Sequence, residues 1–207
     1  MKFIINFKTY KESSGKNALK LLKILEKSGL PVVACLQPAD LHLSKLTKIP
    51  VWAQHVDPIN YGSHTGWILP ENVKDNGAKG VLINHSEHKV KDIKSIVNRC
   101  KELKLKTMIL VSNAKKVLEV KKFNPDFIGV EPSELIGSKT DSVASKPKLI
   151  ENSVKNAGKI PLLIGAGVKT KNDCDVGKKL GAKGVLIASA VVKASNPLKV
   201  LKSFNNN

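Results

Sequence analysis

The chain has 207 residues, of which 42% are hydrophobic and 25% are charged, values typical of one globular domain with a full core. Its formal net charge is +18, and Arg99 is the only arginine among 35 Lys and Arg residues. Such a charge would suit a protein that binds nucleic acid. However, base recognition favours arginine, and the stacking of bases needs more aromatic residues than the 4% of this chain. The lysines also spread along the whole chain, so we expect no nucleic-acid partner; a basic chain would instead attract anionic substrates.

The three cysteines, Cys35, Cys100 and Cys174, lie far apart and form no Cys-x-x-Cys pair. This pattern favours a reducing cytoplasm over a disulfide framework or a zinc site. Asn6 and Lys8 interrupt the N-terminal apolar run, which argues against a signal peptide. No stretch approaches the ~18 apolar residues that cross a bilayer, so we expect a cytoplasmic protein without a membrane partner.

Short apolar runs alternate with segments of helical period along the chain. Eight runs predict strands, at residues 3–8, 31–36, 50–54, 80–83, 107–111, 127–130, 161–164 and 184–187. Eight strand–helix units without a composition break predict an α/β fold, a closed (β/α)8 barrel formed by a single domain over residues 1–207. An open doubly wound sheet is the alternative, but its Gly-x-Gly-x-x-Gly should follow the first strand, and the Gly-x-Gly here follows the seventh.

Two helix starts have their own signals in the second half of the chain. Ser145 is placed to cap the sixth helix, with Pro147 in the first turn. Thr170 and Asp173 have the spacing of a capping box at the start of the seventh.

A carboxylate follows the sixth strand. The run 127–130 reads as a buried strand, Glu131 comes at its end, and Pro132 cannot continue it. A polar loop extends from there to about Ser145. In a barrel this arrangement presents a general base beneath a mobile loop, although an ordinary surface carboxylate would look the same in isolation.

Three other polar residues are expected at the same end of the barrel. Asn6 and Lys8 share one face of the first strand. His85 follows the fourth strand and precedes a helix, whose N-terminal partial charge would keep the imidazole neutral; a solvated loop histidine is the alternative. With Glu131 these groups suit proton transfer beside a carbonyl, and no His or carboxylate cluster has metal-ligand spacing, so neither metal nor cofactor is expected.

Small residues follow the last two strands, at 165–167 and 188–190. They allow backbone N–H groups to approach a ligand closely, and barrels commonly bind phosphate at these two loops. The sequence therefore predicts a phosphate site opposite the proposed base.

In its motifs the chain resembles the triosephosphate isomerases, in the short form found in archaea. The resemblance covers essentially the whole chain and depends on six motifs in the right order at the right strand ends. They are Asn6-Phe7-Lys8, residues 53–58 with 62–66 (AQHVDP and GSHTG), Asn84-His85-Ser86-Glu87, residues 131–137 (EPSELIG), residues 165–168 (GAGV) and residues 186–189 (LIAS).

The resemblance implies a TIM barrel that interconverts dihydroxyacetone phosphate and D-glyceraldehyde 3-phosphate in glycolysis and gluconeogenesis. It implies Glu131 as the base, His85 as the electrophile, Lys8 as the stabiliser of anionic oxygens and Asn6 as an orienting residue. Backbone groups would hold the phosphate at Ile136, Gly167, Ala188 and Ser189.

The resemblance also implies supporting residues and an assembly. Glu87 would be a partner of Lys8, and Thr65 would lie in the loop that reaches a neighbouring subunit of a homo-oligomer, a tetramer as in the archaeal form. The sequence departs from the family at Ser138-Lys139, where the loop after the base usually carries Thr-Gly.

Two other functions stay open at this point. A different phosphate-binding barrel enzyme, such as an epimerase or an aldolase-like enzyme, would need His/Asp pairs at strand ends or a desolvated lysine, for which Lys8 is available. A basic, non-catalytic nucleic-acid-binding barrel would show salt-sensitive affinity and indifference to Glu131→Gln.

Overall fold

The computed structural model describes residues 1–138 and 141–205. Its eight parallel strands form a closed barrel, in which each strand pairs with its neighbours in the sequence and the last pairs with the first. This confirms the predicted (β/α)8 TIM barrel and excludes the open sheet. The strands are β1 (Lys2–Asn6), β2 (Val32–Leu36), β3 (Val51–Ala53), β4 (Gly80–Ile83), β5 (Lys106–Val111), β6 (Phe127–Val130), β7 (Leu162–Ile164) and β8 (Gly184–Ile187).

Helices connect the strands, except that the 3-10 helix Pro38–Leu46 stands between β2 and β3. Shorter 3-10 turns cover Lys11–Ser13, Ser133–Leu135 and Val143–Ser145. Within the described ranges, no helix is long and apolar enough to cross a membrane. The helices are α1 (Lys16–Glu26), α2 (Pro70–Asp75), α3 (Ile93–Glu102), α4 (Ala114–Lys121), α5 (Pro147–Ala157), α6 (Lys171–Lys179), α7 (Ser189–Val192) and α8 (Pro197–Ser203).

The core has two layers because the strands bury both of their faces. The apolar faces of the helices, such as Leu21, Leu22 and Leu25 of α1, pack on the outside of the strands. Inward-pointing side chains fill the barrel itself, so that the polar site can exist only at its rim. The buried interior residues are Ile4, Val33, Cys35, Trp52, Leu82, Met108, Leu110, Leu163 and Leu186.

The first strand is shorter than predicted. β1 ends at Asn6, and Lys8 has a left-handed backbone with φ of 47°. Two side chains fix this conformation: Asn6 Oδ1 accepts the Lys8 N–H at 3.0 Å, and Gln54 Nε2 donates to the Lys8 carbonyl at 3.1 Å. Such a conformation is costly for a lysine and persists only where its surroundings hold it. Lys8 is therefore positioned by a held turn and not by strand alternation.

One predicted helix cap is confirmed and the other is wrong. At α6, Thr170 Oγ1 accepts the N–H of Asp173 at 3.2 Å, and Asp173 Oδ2 accepts the N–H of Thr170 at 2.9 Å. At α5 the residue before the helix is Lys146, and no side chain caps it. The Ser145 hydroxyl instead donates to the carbonyl of Ser142 at 2.7 Å, because a 3-10 turn precedes the helix and holds that hydroxyl.

Seven lysines that are far apart in the sequence share one face of the barrel. Seven segments lead from a helix into the next strand, and Asp126 is the only carboxylate in them. The C-terminal ends of the helices lie at the face of the barrel that these segments form, and the helix dipoles favour cations there. Seven of the 35 Lys and Arg residues therefore lie opposite the carboxyl ends of the strands, and this share of the charge does not draw substrate to those ends. Each segment contributes one exposed lysine: Lys27, Lys48, Lys79, Lys104, Lys122, Lys159 and Lys183.

Candidate active site

A cavity of about 240 Å³ opens at the carboxyl ends of the strands. It brings together nearly all of the residues singled out from the sequence. Thr65 is the exception, because it lies on an exposed loop outside this cavity. The predicted residues that line the cavity are Asn6, Lys8, His85, Glu87, Glu131, Ile136, Gly167, Ala188 and Ser189.

Glu131 lies at the floor of this cavity, directly after β6. Its N–H donates to the Val111 carbonyl at 2.9 Å, which extends the β5–β6 ladder by one bond and fixes where the side chain starts. The side chain is only 12% exposed, and Oε2 is buried without a hydrogen-bond partner among the described residues. Burial raises the pKa of Glu131 to about 7, against the opposing effect of the Lys8 ammonium. A carboxylate with this pKa can accept a proton from a weakly acidic carbon at neutral pH.

A glycine leaves the space that Glu131 occupies. A Cβ on Gly165 would lie 2.7 Å from Glu131 Oε1, closer than any real side chain allows. The sequence suggested that this glycine lets the backbone approach a ligand; the structure shows that it makes room for the carboxylate.

His85 faces Glu131 across the cavity, with Nε2 3.4 Å from Oε2. Its Nδ1 accepts the backbone N–H of Glu87 at 3.1 Å, which leaves the ring proton on Nε2, towards the cavity. Burial lowers the pKa of His85 to about 4, so the ring is neutral at physiological pH, as expected. Burial is the largest cause of this shift, and α3, whose N-terminus was expected to act on the ring, begins only at Ile93.

Lys8 completes this side of the cavity. Its Nζ lies 2.6 Å from Glu87 Oε1, so the expected contact between these residues is present. The Lys8 side chain is 16% exposed, whereas that of Glu87 is 54% exposed. The ammonium lowers the pKa of both Glu131 and His85, and so favours an ionised carboxylate beside a neutral imidazole.

The loop after Glu131 begins with the 3-10 turn Ser133–Leu135, and residues 136–138 line the cavity. In this turn the N–H of Ile136 donates to the Ser133 carbonyl at 3.3 Å, so a phosphate contact from that amide requires the turn to open. Glu134 forms an ion pair with Lys146 on the far side of the loop. Lys139, where the sequence departs from the family pattern, lies outside the described residues.

Two residues that line or support the cavity were missed by the sequence reasoning. Gln54 holds the Lys8 turn, and Lys169 lines the cavity after β7. Gln54 belongs to the motif at residues 53–58, but no role was assigned to it, and Lys169 follows a strand end without belonging to any motif. In residues 1–138 and 141–205, no group of three or more His, Cys, Asp or Glu side chains is arranged to hold a metal ion.

Comparisons with known proteins show the family to which the chain is similar. The triosephosphate isomerase named from Methanocaldococcus jannaschii is 43% identical over 215 residues, covering 99% of this chain and 98% of the relative. The one from Methanobrevibacter smithii is 41% identical and covers 96% and 94%. A crystal structure of triosephosphate isomerase from Bartonella henselae has a TM-score of 0.71 at 22% identity over 99% of both chains, which shows the shared fold. The family model described as triosephosphate isomerase matches residues 1–204, and the chain therefore belongs to the triosephosphate isomerase family.

Proposed function

We propose that this chain interconverts dihydroxyacetone phosphate and D-glyceraldehyde 3-phosphate with Glu131 as its base. The observation that carries the proposal is the buried pair of Glu131 and His85, which face each other at 3.4 Å. Burial brings the pKa of the carboxyl to about 7 and that of the imidazole to about 4, so that a base and a neutral donor coexist at neutral pH. The triosephosphate isomerases are themselves the known example of a carboxylate base paired with a neutral histidine. The reaction would place the chain in glycolysis and gluconeogenesis.

The proposed reaction moves one proton between adjacent carbons. Glu131 takes the proton from the carbon next to the carbonyl, and the electron pair shifts onto the carbonyl oxygen to give an enediolate. His85 Nε2–H and the Lys8 ammonium stabilise that oxygen. Glu131 then returns the proton to the neighbouring carbon, with no net change in oxidation. We assign the orientation of the substrate to Asn6, which lines the same cavity.

The phosphate group is assigned to the opposite wall of the cavity. Ile136, Gly167, Ala188 and Ser189 line the cavity, and the family pattern implies that their backbone groups hold the phosphate. We propose that the loop after Glu131 closes over this group and excludes water from the enediolate.

The pH dependence of the wild-type reaction tests the proposal. We expect kcat/KM, measured by a coupled assay without added metal, to fall about tenfold per pH unit below a bend near 7, because Glu131 must be ionised. The His85 pKa near 4 adds no bend between 5 and 7. The substrate phosphate titrates near 6, so the profile is repeated with unphosphorylated D-glyceraldehyde to separate the two groups. A folded protein without activity would overturn the proposed reaction and favour the non-catalytic alternative.

We also propose a homo-oligomer, a tetramer as in archaeal members of the family. The loop between β3 and α2 carries two large exposed side chains, Tyr61 at 72% and Trp67 at 55% exposure, with Thr65 between them. A second cavity of about 260 Å³ adjoins the active site. Both cavities share Lys8 and His85, so a loop of another copy seated in the second cavity would complete the catalytic wall.

A charged substitution in this loop tests the assembly. We expect Thr65→Arg to lower the mass measured by sedimentation equilibrium from that of a tetramer to that of a smaller assembly, and to reduce kcat with it. Leu46→Arg is the control, since Leu46 is 51% exposed and lies outside the loop. An unchanged mass in the Thr65 variant would show that this loop is not the interface.

We propose the cytoplasm as the location of the protein. The three cysteines are free and buried, and burial raises the pKa of each thiol. Such thiols are inert and fit a reducing compartment, where no disulfide is needed.

A further inference from the structure

Lys169 is a half-buried lysine whose ammonium has no counter-charge among the described residues. Its Nζ exposes less than 1 Å² and has no hydrogen-bond partner among residues 1–138 and 141–205. Taking an ammonium out of water without a partner is among the most unfavourable arrangements in a protein. A lysine in this position therefore indicates an anionic ligand that is absent from the chain itself.

The backbone around Lys169 is fixed by the capping box of α6. Asp173 Oδ2 accepts the N–H of Lys169 and the N–H of Thr170, both at 2.9 Å. The second Asp173 oxygen accepts the Ser142 hydroxyl at 2.6 Å. The nearest carboxylate in sequence is thus occupied by the backbone and a hydroxyl, and it forms no ion pair with Lys169 Nζ in the described chain.

The charges that line the cavity leave a place for an anion at this wall. Lys8 is already paired with Glu87 at 2.6 Å, and Glu131 lies on the same side. Lys169 lies with the loops after β7 and β8, beside Gly167. Of the described lysines that line this cavity, Lys169 is the one without a carboxylate partner.

We infer that Lys169 binds the phosphate of the substrate through its ammonium, in addition to the backbone groups of these loops. The inference rests on the proposed function for the identity of the substrate, but its chemistry requires only a phosphate monoester. A dianion at this place would supply the missing counter-charge, and a lysine is suited to a phosphate as a flexible point charge. Lys169 is on this view a substrate-binding residue and takes no part in the proton transfer.

The test compares substrates with and without the phosphate. We expect Lys169→Met to raise KM for D-glyceraldehyde 3-phosphate by about 10- to 100-fold, the range for a lost hydrogen bond to a charged group. Competitive inhibition by inorganic phosphate should weaken by a similar factor. The kcat/KM for unphosphorylated D-glyceraldehyde should stay unchanged, and Lys169→Arg should restore most of the phosphate-dependent binding.

Two controls keep this inference separate from the proposed function. Lys171→Met removes a nearby exposed lysine that is paired with Asp175, and it should change none of these constants. The melting temperature of Lys169→Met should not fall, because the substitution removes a buried unpaired charge. Equal losses with both substrates, or equal effects of the two methionine variants, would overturn the role of Lys169. A wild type that binds inorganic phosphate through Lys169 but isomerises nothing would overturn only the proposed reaction.

Discussion

Glu131→Gln is expected to lower kcat/KM by about 10²- to 10⁴-fold, the contribution of a positioned general base. Glutamine keeps the size of the side chain and its fit beside Gly165, but its amide cannot accept a proton from carbon. Since the group acts on the bound substrate, the loss should appear in kcat, with KM nearly unchanged. Steady-state kinetics in both directions at pH 8 provide the measurement.

Glu134→Gln is the matched control for this variant. Glu134 lies in the same loop, is 62% exposed and pairs with Lys146. Its loss should cost little, because exposed ion pairs contribute only fractions of a kcal/mol. If Glu131→Gln retained wild-type activity, Glu131 would not be the base, and an alternative barrel chemistry would have to be sought at Lys8 by borohydride trapping.

Glu131→Gln should have a larger free energy of unfolding than the wild type above pH 7. Folding raises the pKa of Glu131 from 4.5 to about 7, so the folded state favours the protonated form. Its contribution to stability is present below pH 4.5, is lost as the pH rises through 7, and amounts to about 3 kcal/mol by linkage. Glutamine resembles the protonated carboxyl and avoids that loss. Urea unfolding at pH 8 measures the gain and also proves that the variant is folded.

The pH profile of stability has a second, opposite contribution from His85. Folding lowers its pKa from 6.5 to about 4, so stability rises as the pH increases from 4 to 6.5. In the wild type this rise opposes the fall due to Glu131 over much of the same range. In Glu131→Gln the fall due to Glu131 is absent while the His85 contribution remains, so the free energy of unfolding should increase with pH from 4 to 6.5.

The barrel was predictable because its signals are local and repeated. Runs such as Gly80–Ile83 and Phe127–Val130 are bounded by turns and have the length of buried strands, and the structure has them at those bounds. The closed topology follows from counting eight such units. The start of α5 was not predictable in the same way. The Ser145 hydroxyl could cap the helix or donate to the Ser142 carbonyl, and the sequence alone does not show which of these two hydrogen bonds forms.

The residues of the site were predictable from the strand ends, but their pKa values were not. Glu131 and His85 fall after strands, and strand ends converge in a barrel. Their pKa values depend on the tertiary structure, because burial is the largest cause of both shifts. Neither this burial nor the hydrogen bond from the Glu87 N–H to His85 Nδ1 can be read from the sequence. Lys169 was missed for the same reason, since one lysine among many shows its isolation only in the fold.

The distribution of lysines shows a related limit of sequence reasoning. Seven of the lysines recur at the same place in successive units, between a helix and the next strand, and the barrel collects these seven on one face. Lysines that are scattered along the sequence of a repeated fold can therefore form a basic surface. In this chain the surface lies opposite the catalytic cavity, so the two can be varied independently.

Lys8→Met is expected to lower kcat/KM by at least about 10³-fold, because two effects add. The variant loses the ammonium proposed to stabilise the enediolate, an interaction whose removal alone costs about 10²- to 10³-fold. It also loses the charge that lowers the pKa of Glu131, so the bend in the pH profile should move above 7. The profile of kcat/KM between pH 5.5 and 9 measures both effects.

Glu87→Gln provides the opposite shift. The Glu87 carboxylate raises the pKa of Glu131, so its removal should move the bend below 7 while Lys8 stays charged. Shifts in opposite directions would show that the Lys8–Glu87 pair sets the basicity of Glu131 on top of burial. If the bend stayed near 7 in both variants, burial alone would set that pKa. Lys8 would then act only on the enediolate oxygen, and the whole of its effect would appear as a loss of rate at every pH.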